Sequence, residues 1–283
     1  MTTCGTLQQW MRQLPENSEI QYDAKNLVGH LSFPVYNGSM DLLHCQRLLA
    51  AYENAVKDPE TRVVILWGGA DFFSNGIDLN SIHHGYNPAI QAYKNLKAMN
   101  RVVQAILETS NKLVLAALQG PAAAGGVMLA LAADLRYARD GIVLNPSYVN
   151  MGLSGSEYWS ILLPSMVGYG RTQQLIYEAT PISCRQAVDW GLIHEALNRD
   201  PAAFCQEVTR RAEHLARGNI EARLCAKSVL NAPLLSAMKE QVRLELEAMK
   251  QCCNHAEFEQ SRSGFVMKTG SSSLPIMAME CDD

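Results

Sequence analysis

The chain carries no run of basic residues interleaved with aromatics, and its net charge of -4 and pI near 6.0 argue against a nucleic-acid partner. It also lacks any apolar stretch of membrane-spanning length. Residues 1–10 lack the charged start and following apolar run of a secretory signal, so no membrane segment is expected and a cytoplasmic location is. The eight cysteines do not show the paired spacing of metal ligands, the seven histidines are dispersed, and a chain this long needs no disulfide framework. Reduced thiols and no metal are therefore expected. No internal repeat or linker divides the chain. What it does have is apolar content: at 48% apolar and 18% charged residues, 283 residues can bury a large core, which favours one domain with an appendage over two domains.

The apolar pattern places the elements. Leu42, Cys45, Leu48, Leu49, Tyr52 and Val56 recur at helical spacing, which predicts a helix over 41–57. A strand is predicted over 62–67, a long helix over 88–109, and strands over 112–118, 135–139 and 142–144. Strands and helices alternating in this way imply a largely parallel sheet built from β-β-α units. Past the cap Asp200 and first-turn Pro201 the chain reads as helical, in segments 201–217 closed by Gly218, 219–231 closed by Pro233, and 234–253. The expected organisation is an N-terminal extension at 1–25, a core at 26–200, a helical region at 201–270, and a loose tail at 271–283 rich in serine and ending in acids.

Two glycine turns carry the chemical signal. Gln119-Gly120-Pro121-Ala122-Ala123-Ala124-Gly125-Gly126 precedes an apolar run that stops at Asp134, and reads as strand, tight turn, then buried helix. Small residues there let a ligand carbonyl approach the main chain, and a helix start leaves N–H groups unpaired. Taken alone, the turn equally fits close helix–sheet packing. Upstream, the strand ending at Trp67 runs into Gly68-Gly69-Ala70-Asp71-Phe72-Phe73-Ser74-Asn75-Gly76-Ile77-Asp78-Leu79-Asn80, a second turn of the same kind. Two such turns after strands of one sheet can aim N–H groups at one oxygen, the geometry that holds a thioester enolate or tetrahedral oxyanion.

These blocks resemble the crotonase (enoyl-CoA hydratase/isomerase) superfamily. Ser74 to Leu79 is similar to its first oxyanion segment, with Ile77 N–H as one donor, and Gly120 to Gly126 to its second, with Gly125 as the other. The likeness runs over about 28–197, and the helical end fits it too. The resemblance implies an α/β fold, the ClpP/crotonase-like stack of β-β-α units with a C-terminal helical trimerisation region. It further implies CoA binding by Ser74, Asn75, Gly76, Asp78 and Leu79, a homotrimer or dimer of trimers, and no cofactor beyond the coenzyme A carried by an acyl-CoA substrate.

The two hydratase carboxylates fall, by the same resemblance, on Met128 and near Ser147 or Tyr148, so ordinary enoyl-CoA hydration is disfavoured. In their place stand Tyr148 and Glu157, on the segment this family folds over the acyl end of CoA. Burial beside Tyr and Trp would raise the Glu157 pKa and suit it to proton transfer. The alternative has Ser156 as an N-cap with Glu157 in the first helical turn, and Tyr148 and Trp159 as core.

Tyr36 to Met40, Phe73 to Asn80, Ala124 to Asp134 and Gly155 to Trp159 narrow the resemblance to the C-terminal crotonase-like domain of the HypX (HoxX) family of hydrogenase-maturation proteins. That likeness implies decarbonylation of formyl-CoA, with Tyr148 and Glu157 as the catalytic pair. Nothing in residues 1–25 fits the formyltransferase-like domain of that family, so either a separate formyl donor protein or another acyl-CoA substrate is expected. Two further readings stay open: isomerase, decarboxylase or thioesterase chemistry with Glu157 as sole acid/base, and a silent CoA-binding scaffold.

Overall fold

The computed structural model describes residues 20–271, so the expected loose tail and most of the N-terminal extension lie outside the described residues. The main sheet has six strands: β1 (Gln21–Lys25), β2 (Val28–Ser32), β4 (Val63–Trp67), β6 (Leu113–Leu118), β8 (Leu135–Arg139) and β11 (Glu195–Leu197), in that spatial order. β1 and β2 form an antiparallel hairpin and the remaining neighbours are parallel. Gln21–Lys25 therefore belongs to the sheet rather than to an extension, because its main chain completes the edge beside β2.

β2, β4 and β6 are buried at every position, as strands covered on both faces must be. Alternation along β4 sends Val64 and Leu66 to one core and Val63, Ile65 and Trp67 to the other. The first core is closed by α1 (Leu42–Lys57) and α3 (Pro88–Leu107). The second is closed by α7 (Pro201–Arg217), whose Phe204, Val208, Ala212 and Ala216 lie on one face, with Phe204 edge-on to Trp67 at 6.4 Å. Asp41 caps α1 by accepting from His44 N, and Asp200 caps α7 by accepting from Ala203 N.

A second, small layer lies beyond the carboxyl ends of β4 and β6. It comprises β3 (Ser39–Met40) paired with β5 (Gly76–Ile77), and β7 (Ala122–Ala123), β9 (Val143–Asn145) and β10 (Ile182–Ser183). A bridge between Ser74 and Ala122 joins the two groups. Four short or medium helices complete the core: α2 (Leu79–His83), α4 (Gly125–Leu131), α5 (Trp159–Glu178) and α6 (Cys184–Asp189).

The helical end departs from expectation. Instead of breaking at Pro233, the chain forms one helix, α8 (Ile220–Cys253), with Pro233 inside it, followed by α9 (Ala256–Ser271). A mid-helix proline loses one hydrogen bond and clashes with the preceding turn, but both flanks of α8 are anchored. Lys227 donates to Lys112 O and Asp134 Oδ2 on one side, and Glu245 and Met249 bind the loop before α5 on the other. Tertiary fixation on both sides overrides the local signal. Among the described residues, no helix is long and apolar enough to cross a membrane, and no three His, Cys, Asp or Glu side chains gather as a metal site.

Candidate functional site

β4 and β6 are adjacent and parallel, so the turns that leave their carboxyl ends emerge side by side. Main-chain bonds stitch them together: Phe73 N donates to Pro121 O at 2.8 Å and Ala123 N to Ser74 O at 2.9 Å. Close approach explains the glycines. A Cβ on Gly76, whose φ is +80°, would stand 3.2 Å from Gly125 N, and one on Gly126 would collide with Ser74 O. The residue before Ile77 thus sits directly against the start of α4. Gly125 N–H is the first of that helix and has no acceptor within it. Ala124, which precedes it, holds the unusual φ of 47° and is pinned by donating to Asn145 O at 2.8 Å.

The CoA-binding residues named from the sequence lie in the first turn, but several of their side chains are spent shaping it. Ser74 Oγ accepts from Gly76 N at 3.1 Å, Asn75 Nδ2 donates to Asn37 O at 2.7 Å, and Asp78 caps α2 by accepting from Asn80 N at 3.0 Å. Leu79 is buried.

Glu157 lies 1% exposed, with its carboxyl over Gly125: a Cβ on that glycine would be 2.9 Å from Glu157 Cδ. The Tyr148 hydroxyl donates to Glu157 Oε2 at 3.0 Å. Burial raises the Glu157 carboxyl from its ordinary 4.5 to about 7, opposed by the Tyr148 hydrogen bond, so both protonation states are accessible near neutrality. Burial and then the neighbouring carboxyl push the Tyr148 phenol well above its ordinary range, which keeps it a donor. The structure thus brings Tyr148, Glu157, Gly125 and the Gly76–Ile77 turn to one place. Met128 is fully buried in α4.

Ser156 is not an N-cap, and Glu157 is not in a helical first turn. Helix α5 begins at Trp159, and Glu157 and Tyr158 precede it, both left-handed at φ 63°. Such a conformation costs about 1–2 kcal/mol per non-glycine residue, so something must hold it. Asn100 Oδ1 of α3 accepts from Glu157 N at 2.6 Å. Glu245 of α8 accepts from Tyr158 N and Ser160 N, each at 2.9 Å, and from Ser160 Oγ at 2.6 Å. Met249 Sδ takes the Gly155 N–H at 3.1 Å. Sequence reading missed Asn100, Glu245 and Met249; the polarity of Asn100 and Glu245 within helical segments was the available signal, and apolar Met249 offered none.

Comparison with known proteins identifies the family. The family model for enoyl-CoA hydratase/isomerase matches residues 30–271. The chain belongs to the enoyl-CoA hydratase/isomerase (crotonase) family. It is 36% identical over 268 residues to the hydrogenase maturation factor HoxX of Bradyrhizobium diazoefficiens, covering 91% of this chain and 46% of that protein. Crystal structures of HypX from Aquifex aeolicus superpose with a TM-score of 0.84 at 35% identity, over 88% of this chain and 45% of that one, and one of them is a complex with tetrahydrofolic acid. A 4-chlorobenzoyl coenzyme A dehalogenase from an Arthrobacter species is 26% identical, over 87% of this chain and 88% of its own length. The chain spans just under half the length of its HoxX and HypX relatives. It is a crotonase-fold protein of an acyl-CoA-processing family, similar to these hydrogenase-maturation factors.

Proposed function

We propose that the chain is a lyase acting on formyl-CoA, releasing carbon monoxide and CoA, with Glu157 as base and Tyr148 as its hydrogen-bonding partner. The observation that carries this reading is the buried Glu157 carboxyl, raised to about 7, seated over Gly125 and bonded to Tyr148. In the proposed step, the thioester oxygen rests against the N–H groups of Ile77 and Gly125. Glu157 takes the formyl proton, the C–H electron pair stays on carbon as the lone pair of CO, and an oxygen lone pair completes the triple bond. The C–S pair leaves with the CoA sulfur, and the proton passes from Glu157 to that thiolate. One formyl-CoA gives one CO and one CoA thiol, with no net redox change and no cofactor beyond the substrate's own CoA.

The residues in the hydratase carboxylate positions, Met128 and the Ser147–Tyr148 pair, support elimination over hydration, because neither can activate water as a carboxylate does. Resemblance to HypX and HoxX supports a formyl donor acting before this site, and membership of the crotonase family supports a homotrimer or dimer of trimers built through α7 to α9. Val229 and Leu230 of α8 are exposed apolar side chains suited to such a surface.

Purified protein is to be given formyl-CoA while CO is trapped by a haem protein and free thiol is titrated. Equal CO and thiol, lost in Glu157→Gln, is the expected result. Thiol without CO points to thioesterase chemistry, and CoA binding without either product makes the chain a scaffold; each outcome overturns the lyase reading.

A further inference from the structure

Glu245 stands 88 residues from Glu157 in the chain, yet it accepts hydrogen bonds from Tyr158, the residue after Glu157, and from Ser160. It is 5% exposed, and its partners are three donors: Tyr158 N, Ser160 N and Ser160 Oγ. Three donors converging on two oxygens need a group that only accepts, which a carboxylate is and an amide is not. These donors also form the start of α5, where N–H groups and the helix dipole favour negative charge. Tyr158 offers α5 no side-chain cap of its own, so Glu245 supplies it from α8.

We propose that Glu245 is a positioning residue for Glu157: by capping α5 it fixes the left-handed Glu157–Tyr158 pair and so turns the Glu157 carboxyl onto Gly125. The inference rests on the reading of Glu157 as the acid/base. α8 thereby reaches into the site through main-chain amides rather than through substrate. Glu245 also adds a second buried negative charge near the first, which raises the proton affinity of Glu157. The other titratable groups facing Glu157 are Tyr148 on its own segment and the Cys45 thiol of α1, which burial holds up at about 12. From α3 and α4 the facing groups are Asn100 and Gly125, which do not titrate.

The test needs a readout independent of substrate. In the full-length protein, difference infrared spectroscopy follows the protonated carboxyl band of Glu157 against pH, assigned by its loss in Glu157→Gln. In Glu245→Gln the midpoint is expected to fall by about half a pH unit or more, as a neighbouring negative charge is removed. With formyl-CoA, kcat is expected to fall about 10- to 100-fold while KM stays within about 3-fold, the pattern of a misplaced base. An unchanged Glu157 midpoint and unchanged kcat in Glu245→Gln overturn the proposal while leaving the lyase reading intact. Full activity in Glu157→Gln instead removes the lyase reading, and this inference with it. If Glu245→Gln does not fold, Ser160→Ala removes one of the three donors without changing charge; kcat there is expected to fall about 3- to 10-fold, and wild-type kcat overturns the proposal.

Discussion

Replacing Gly125 with alanine places the site geometry under direct strain. The added methyl carbon would stand 2.9 Å from Glu157 Cδ and 3.0 and 3.1 Å from its two oxygens. Ordinary carbon contacts begin near 3.5 Å, so the carboxyl must retreat by about 0.6 Å. Tyr148 holds it from one side at 3.0 Å, Asn100 holds its main-chain N–H, and Glu245 holds that of Tyr158, so the retreat cannot be free. Overpacking of this kind costs about 1–3 kcal/mol, against about 0.4–1 kcal/mol gained by restricting the unfolded chain, leaving a net loss of about 1–2 kcal/mol. Calorimetry should show Tm lower by several degrees, and turnover should fall about 100-fold because the base is displaced. The double variant Gly125→Ala with Glu157→Ala removes the clash and should recover most of the lost stability, a coupling of about 1 kcal/mol or more. If Gly125→Ala alone keeps wild-type Tm and turnover, the carboxyl is not seated on Gly125 and the site as described is wrong.

Glu157→Gln should be more stable than the wild type at pH 8. A carboxyl raised from 4.5 to about 7 contributes stability present below about 4.5 and lost as pH rises through about 7, so urea midpoints of the two proteins should diverge across that window, by on the order of 2–3 kcal/mol at the upper end. Tyr148→Phe removes a bond that lowers the Glu157 pKa, so the limb of kcat against pH attributed to Glu157 should move upward, with kcat down about 10-fold; a limb that stays in place disconnects the phenol from the carboxyl. Lys227→Met leaves the half-buried Asp134 with the Val114 N–H but without its cationic partner at 2.7 Å and should cost about 2–3 kcal/mol in urea unfolding, whereas a loss under about 1 kcal/mol would show the pair to be solvated.

The parts of the fold set by local pattern were legible in the sequence. The Asp41 cap and the helical spacing of Cys45, Leu48 and Tyr52 give α1, and unbroken apolar runs give the central strands. Legibility ended where distant segments decide the outcome. Pro233 is a local stop signal that α8 ignores, because Lys227 and Glu245 tie its two halves to different parts of the core. Gln21–Lys25 offers only Tyr22 and alternating polar residues, and its strand exists because β2 presents an open edge. Ser156 followed by Glu157 reads as a helix start, yet the helix begins two residues later because Asn100 and Glu245 take the amides that a local cap would have taken.

That same displacement explains how one carboxyl can be both buried and aimed. Had Ser156 capped the helix, Glu157 would sit in a first turn, its side chain free to reach solvent and its pKa drawn down by the dipole. Two left-handed residues instead fold the chain back, so that Glu157 points inward at the glycine of the opposite turn and burial drives its pKa up. The strain of that backbone is offset by acceptors on α3 and α8, which are carried on rigid helices rather than on the loop itself. The placing of Glu157 therefore depends on α8, a helix far from both glycine turns in the chain.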